Sequence, residues 1–293
     1  MTGTGTGRAL GALVLGGVLL GCSPILVRIS VIGPVATAFW RLAFALAPLV
    51  VLFAGVSRSG GAGRRPATAA EHLTAALPGI FLAGDLATWH ISLHMTSVTN
   101  STLLANMAPV VVTLVSWLFL RQRISGAFVA GLVLSVAGVI VLDGGGFSRS
   151  AESHLHGDAV ALLAACFYAG YFMMLSRARV LFSTITIMVW STTAAAILVL
   201  PVALVLEPAF IPHAIAGWII LIALGWVVHA GGQGVITFAL AWLPATFSSL
   251  TLLIQPVVAA VLARIILNEP LGVRQIAGGG IVIAGILMAR KTA

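Results

Sequence analysis

Charge is scarce in this chain. Asp, Glu, Lys and Arg make up 8% of its 293 residues, against about a quarter in an ordinary soluble domain. Seven acids and fifteen bases cannot clothe two or three soluble domains, so a water-soluble protein of this length is excluded. Lysine is almost missing: Lys291 stands alone beside fourteen arginines, which are scattered between apolar runs. The net charge of +8 therefore forms no basic block to grip phosphates, and no nucleic-acid partner is expected. Cysteine is limited to Cys22 and Cys166, both inside apolar segments, which suits small-residue packing and not a disulfide framework.

What fills the chain is hydrocarbon: 60% of the residues are hydrophobic and the mean hydropathy is +1.14. A helix needs roughly 20 apolar residues to cross a bilayer. Ten segments qualify: 9–27, 31–53, 73–94, 99–120, 126–142, 158–176, 184–206, 213–234, 244–267 and 272–289. The longest polar stretches, 57–72 and 143–157, leave no room for a soluble domain. The expected fold class is an all-α integral membrane protein of ten transmembrane helices. Arg8, an apolar run and Leu19-Leu20-Gly21-Cys22 resemble a lipoprotein signal, but cleavage before Cys22 would leave nine spans. With the N-terminus in the cytoplasm, ten basic residues lie inside (Arg8, Arg58, Arg64, Arg65, Arg121, Arg123, Arg177, Arg179, Arg290, Lys291) and four outside (Arg28, Arg149, Arg264, Arg274). Arginine placement therefore expects both termini in the cytoplasm.

The chain also matches itself. A shift of 147 residues aligns Pro109-Val110-Val111 with Pro256-Val257-Val258, and pairs Gly84 with Gly231, Gly131 with Gly278 and Gly138 with Gly285. Thirteen identities fall in the 59 positions 84–142 against 231–289, where composition alone gives about five. The expected halves are 1–147 and 148–293, each with five spans, so the second enters the membrane inverted. In such inverted repeats the ligand sits near the midplane between halves. Pro109 and Pro256 occupy equivalent places inside spans four and nine, where each frees backbone carbonyls.

Two charges lie deep, Arg41 in span two and Asp85 in span three. A charge at the centre of a membrane helix costs about 3 kcal/mol on insertion scales, so each needs a reason. One reading is an ion pair that locks the two helices; the other is that one or both meet a charged ligand or, for Asp85, a proton. Asp85, Thr88, Trp89 and Ser92 share one face of span three. His90 and His94 form an i, i+4 pair turned away from Asp85, too small a set for a metal site. Asn106 and Thr113 share a face of span four; His229 and Gln233 are i, i+4 on span eight; Ser248, Thr251 and Gln255 form a stripe on span nine. Tyr168 and Tyr171, the only tyrosines, are i, i+3 on span six. Each alone is ordinary helix–helix glue; together they furnish a cavity for a small amphipathic solute. Gly17, Gly21, Gly131, Ser135, Gly138, Gly278, Ala284 and Gly285 read as close helix contacts. Trp40, Trp117, Trp190, Trp218 and Trp242 read mostly as lipid-facing or interfacial anchors. Gly144-Gly145-Gly146 lacks the Lys-Ser/Thr of a phosphate loop.

Several of these residues together resemble the drug/metabolite transporter superfamily in its ten-helix, EamA-type form. The carriers of the likeness are Phe39-Trp40-Arg41, the run Asp85-Leu86-Ala87-Thr88-Trp89-His90, and the stretch from Thr96 through Asn106 to Pro109. Gln255-Pro256-Val257-Val258 and Leu267-Asn268-Glu269-Pro270 supply the second copy. Two places depart from the pattern: Gln122 stands where Glu is common, and Gly21-Cys22-Ser23-Pro24 where a Trp-Gly-Ser-like run is common. The overall look is similar to the YddG-type amino-acid exporters, which implies a basket-like cavity between two five-helix halves and outward movement of amino acids.

The expectation is thus a secondary transporter, not an enzyme, exporting small metabolites, amino acids first, across a bacterial inner membrane by alternating access. The substrate-binding set is Arg41, Asp85, Trp89, Asn106, Tyr168, Tyr171, His229 and Gln255, with no metal and no cofactor. Its partners are the small-molecule substrate and membrane lipid, as a monomer or weak homodimer. Another metabolite or a drug-like cation is the alternative cargo, and a metalloenzyme built on His90 and His94 the remote one.

Overall fold

The structure, a computed structural model, describes residues 3–58, 64–93, 95–96, 98–143, 155–269 and 271–290. His94, the Gly144-Gly145-Gly146 run and Lys291 lie outside the described residues. Among the described residues all regular structure is helical. The elements in order are α1 (Gly3–Gly21), α2 (Ser23–Arg28), α3 (Pro34–Arg58), α4 (Ala69–Leu93), α5 (Val98–Ala105), α6 (Ala108–Leu118) and α7 (Gly126–Leu142). Then follow α8 (Leu155–Leu181), α9 (Thr184–Leu206), α10 (Ile215–Ala223), a π-helix (Leu224–Gln233), α11 (Gly234–Ala239), α12 (Ala245–Thr251), α13 (Ile254–Ile266) and α14 (Val273–Arg290).

Among the described residues, eight helical stretches are long and apolar enough to cross a membrane. Gly126–Leu142 is apolar but only 17 residues long. Ala69–Leu93 has 25 residues, and Asp85, Thr88 and His90 make it too polar to count with the eight. The chain is a multi-pass membrane protein.

Several helix ends follow from local chemistry. Ser125 caps α7 by accepting a hydrogen bond from the Phe128 amide at 3.1 Å, and Ser183 caps α9 by accepting from that of Thr186. Before α4, the Thr68 hydroxyl accepts from the Glu71 amide at 3.3 Å while the Glu71 carboxylate accepts from the Ala67 amide at 2.8 Å. This reciprocal capping satisfies donors that the first turn leaves open. The start of α3 is capped from a distance: Glu207, at the end of α9, accepts from the Val35 amide at 2.9 Å. A Cβ on Gly33 would run into that carboxylate and push the cap aside.

Helices early in the chain pack on helices late in it. α3 lies on α9 and the π-helix, α4 on α8 and α9, and α1 on the π-helix, α11 and α13. The tightest seam joins α7 to α14. A Cβ on Gly131 would stand 2.6 Å from the Gly285 carbonyl, and one on Gly138 would stand 2.8 Å from the Gly278 carbonyl. Only glycine permits this approach. The Ser135 hydroxyl donates to the Val282 carbonyl in the same seam at 3.4 Å.

Not every tryptophan is an anchor in lipid. Trp117 is 57% exposed and Trp242 39%, but Trp40 packs with Phe39, Phe44, Phe210 and Trp218 and donates its indole N–H to the Phe210 carbonyl at 2.8 Å. Trp190 donates to His72 Nδ1 at 2.8 Å. Both cysteines are free thiols, and Cys22 marks the break between α1 and α2.

Candidate functional site

Three spans are interrupted and one is under-wound into a π-helix, and all four irregularities meet at one cavity of about 450 Å3. Ser23 and Pro24 follow the α1–α2 break, Asn106 lies in the α5–α6 break, Gln255 and Pro256 open α13 after the α12–α13 break, and Gln233 ends the π-helix. All of them line the cavity. In a bilayer, backbone that leaves the α pattern must have its polar groups met by protein or by a water-filled space. π turns inside α-helices occur frequently at functional sites. Pro109 and Pro256, expected inside continuous spans, instead sit in the first turns of α6 and α13, just after the breaks, where neither interrupts a helix interior.

Regular helices supply the charges. Arg41 comes from α3 and Asp85 from α4, with Trp89 one turn further along α4 and Tyr168 across the cavity on α8. Among the described residues the ion pairs are Arg28–Glu269 and Arg64–Glu71, so Arg41 and Asp85 share a cavity without pairing. Arg41 donates through Nη1 to the Ser23 hydroxyl at 3.3 Å, and its Nε is buried with no partner. The indole nitrogen of Trp89 is likewise buried without a partner. Tyr168 faces Gln255, and its ring stacks on that of Tyr171 with centroids 6.0 Å apart. The wall therefore combines two opposite charges, amide and hydroxyl groups, and aromatic faces.

Six of the eight residues singled out in the sequence meet here: Arg41, Asp85, Trp89, Asn106, Tyr168 and Gln255. Tyr171 and His229 stand one layer back, each about 1% exposed. Tyr171 accepts a hydrogen bond from Gln233 Nε2 at 2.6 Å and so holds the amide that reaches the cavity. His229 shares a hydrogen bond between Nε2 and the Thr192 hydroxyl of α9 at 3.0 Å. His90 is buried, with Nδ1 against the Leu86 carbonyl of its own helix. Among the described residues no three His, Cys, Asp or Glu side chains gather as a metal site.

Ser23 and Gln233 are wall residues that the sequence reading left out of its set, although Gln233 was visible as the i+4 neighbour of His229. At one end the cavity opens past Arg28, Asp143, Glu269 and Gln275. Asp143 follows the last residue of α7, and burial without a compensating partner pushes its carboxyl from the ordinary 3.8 up to about 6. Toward the other end α1 packs on the π-helix and α11, with Gly16 against Ile236 and Gly232. There Arg179 Nε also donates to the Thr237 carbonyl at 3.0 Å.

Comparison with known proteins agrees with this architecture. The sequence model of the EamA-like transporter family matches residues 7–142 and, a second time, residues 155–290. An uncharacterized transporter of Archaeoglobus fulgidus is 28% identical over 231 residues, covering 73% of this chain and 78% of that protein. A protein crystal structure superposes over 100% of both chains with a TM-score of 0.80 and 18% identity, a likeness of fold alone.

Proposed function

The chain belongs to the EamA-like transporter family, and on that premise we propose that it exports small zwitterionic metabolites, amino acids first, by alternating access. The observation that carries this reading is the pair of opposite charges on one cavity wall with no ion pair between them. An amino acid brings an ammonium group for Asp85 and a carboxylate for Arg41, whose guanidinium has only the Ser23 hydroxyl to satisfy it. Gln255, Gln233 and Asn106 offer hydrogen bonds, while Trp89 and Tyr168 receive the side chain. Tyr171 acts through Gln233, and His229 through the packing of the π-helix on α9. The cavity volume falls among the small-molecule sites of about 300–1,000 Å3.

The proposed framework is ten crossings, adding α4 and α7 to the eight, in two inverted halves, 1–147 and 148–293. Three observations support it. The family model matches the chain twice. Among the described residues, two non-glycine residues have left-handed backbone, Arg121 with φ 51° and Asn268 with φ 55°, and they are 147 positions apart. The same shift turns the Gly131–Gly285 contact into the Gly278–Gly138 contact, as a two-fold axis through the α7–α14 seam requires. Nine of the arginines lie toward the end opposite the cavity mouth or in its links, which supports a cytoplasmic location for that end and an inner-membrane setting. The cavity then faces outward, sealed on the cytoplasmic side by α1 against α11. Rocking of the halves about the seam would exchange these two arrangements.

The test is flux in liposomes holding the purified protein, with labelled amino acids and with or without a pH gradient. Saturable flux that unlabelled amino acids compete with, and that Asp85→Asn reduces, is the expected result. A folded, monodisperse protein that moves no amino acid would refute the substrate class.

A further inference from the structure

A second concavity lies away from the central one. Between α6 and α7 runs a groove of about 560 Å3, walled by Val110, Leu114 and Trp117 on one side and by Val129, Val133 and Ala137 on the other. The hydroxyl of Thr113, which also lines it, donates to the Pro109 carbonyl at 2.7 Å, so this wall residue offers no spare donor. The corresponding helices α13 and α14 touch instead: a Cβ on Gly279 would lie 3.1 Å from Val257.

The groove reaches Ile124 in the α6–α7 link, at the end of the molecule away from the cavity mouth. This link carries Arg121 and Arg123, both exposed, and neither forms an ion pair among the described residues. The equivalent link before α14 carries Asn268 and Glu269, and there Glu269 pairs with Arg28. Unpartnered cations thus stand beside the open groove, and a paired acid beside the closed one.

We propose that the α6–α7 groove is a binding site for an anionic phospholipid, with an acyl chain between the helices and the headgroup phosphate on Arg121 and Arg123. Any lipid tail gains by filling an apolar groove inside the bilayer. The arginines add headgroup selection, because guanidinium groups bind phosphate through paired N–H donors and basic residues at the surface attract anionic lipid. The arginines lie in the link itself, so one lipid spans the tail seat and the headgroup seat.

Native mass spectrometry of the full-length protein in detergent, titrated with phosphatidylglycerol or phosphatidylcholine of identical chains, tests this. Phosphatidylglycerol should bind about tenfold more tightly. The double variant Arg121→Gln/Arg123→Gln should bind both lipids alike, and Val133→Trp, which fills the groove from a lipid-exposed position, should weaken both. Arg177→Gln, an exposed arginine outside the groove, should leave the preference intact. Inorganic phosphate at matching concentration should not displace phosphatidylglycerol. Equal affinities in the parent protein, a preference that survives the double arginine variant, undiminished binding to Val133→Trp, or full displacement by phosphate would each overturn the proposal. Unchanged thermal midpoints in the variants keep the comparison one of folded proteins.

Discussion

The α7–α14 seam and the central cavity wall are built from opposite materials. In the seam, backbone touches backbone, and Ser135, its hydroxyl residue, is satisfied within it. On the cavity wall, Arg41 Nε and Trp89 Nε1 are buried without hydrogen-bond partners and Asp85 forms no ion pair. A buried unpaired polar group costs roughly 1–3 kcal/mol, so the fold tolerates at the wall what it excludes from the seam. On the proposed function, the difference separates a contact that specifies the assembly from a surface left incomplete for its substrate.

The comparison can be broken first at the seam. Gly285→Val forces a branched side chain onto the Gly131 carbonyl, 2.6 Å from the ideal Cβ, and should destabilise the protein by about 3 kcal/mol. A detergent thermal melt that leaves the midpoint unmoved would show that the seam is not close-packed. At the wall the reverse is expected. Asp85→Asn should lower flux by about tenfold or more while leaving the melt unchanged or raised, since a deep charge is removed. A stability loss as large as that at Gly285 would make Asp85 a structural residue.

Tyr171→Phe sharpens the contrast from one layer behind the wall. It removes the acceptor of the Gln233 amide and should cost about 1 kcal/mol of stability. Because Gln233 reaches the cavity, the half-saturating substrate concentration should shift with it, which a residue that only fills space would not cause. At the mouth, Asp143 binds its proton more tightly in the folded protein than its ordinary value of 3.8 allows. The folded state therefore holds more protons between about pH 4 and 6, and stability should fall as pH rises through that window and level off above it. Asp143→Asn should abolish that slope in melts recorded across the same range. The smallest effect is expected for Arg28→Gln, whose partner Glu269 is an exposed pair worth about 1 kcal/mol or less, vanishing in high salt.

The sequence displayed the long helices because apolar length is a one-dimensional property, and displayed the deep charges because Arg41 and Asp85 sit alone in hydrocarbon. It displayed the glycines of the seam as well. It did not display the π-helix at Leu224–Gln233: the segment has no proline, and the choice between α and π turns rests on packing against α1 and α3. His229 and Gln233 read as one face at helical spacing, yet Gln233 reaches the cavity while His229 bonds the Thr192 hydroxyl of α9. Tyr171 was misplaced for a related reason. Residues three apart on a helix share a side only approximately, and the distance from Tyr168 to Tyr171 is enough to turn one ring onto the cavity and the other into the core. Ser23 stayed hidden because its place depends on the α1–α2 break, which hydropathy does not register.

The seam has one consequence for how such a chain arises. Gly131 meets Gly285 as Gly278 meets Gly138, so each helix offers its neighbour the surface it receives. A five-helix half carrying this face would be complementary to a copy of itself inserted upside down. On the proposed inverted framework, joining two such copies into one polypeptide would fix their opposite orientations and let them diverge, so that one link could come to hold Arg121 and Arg123 while its counterpart holds Asn268 and Glu269.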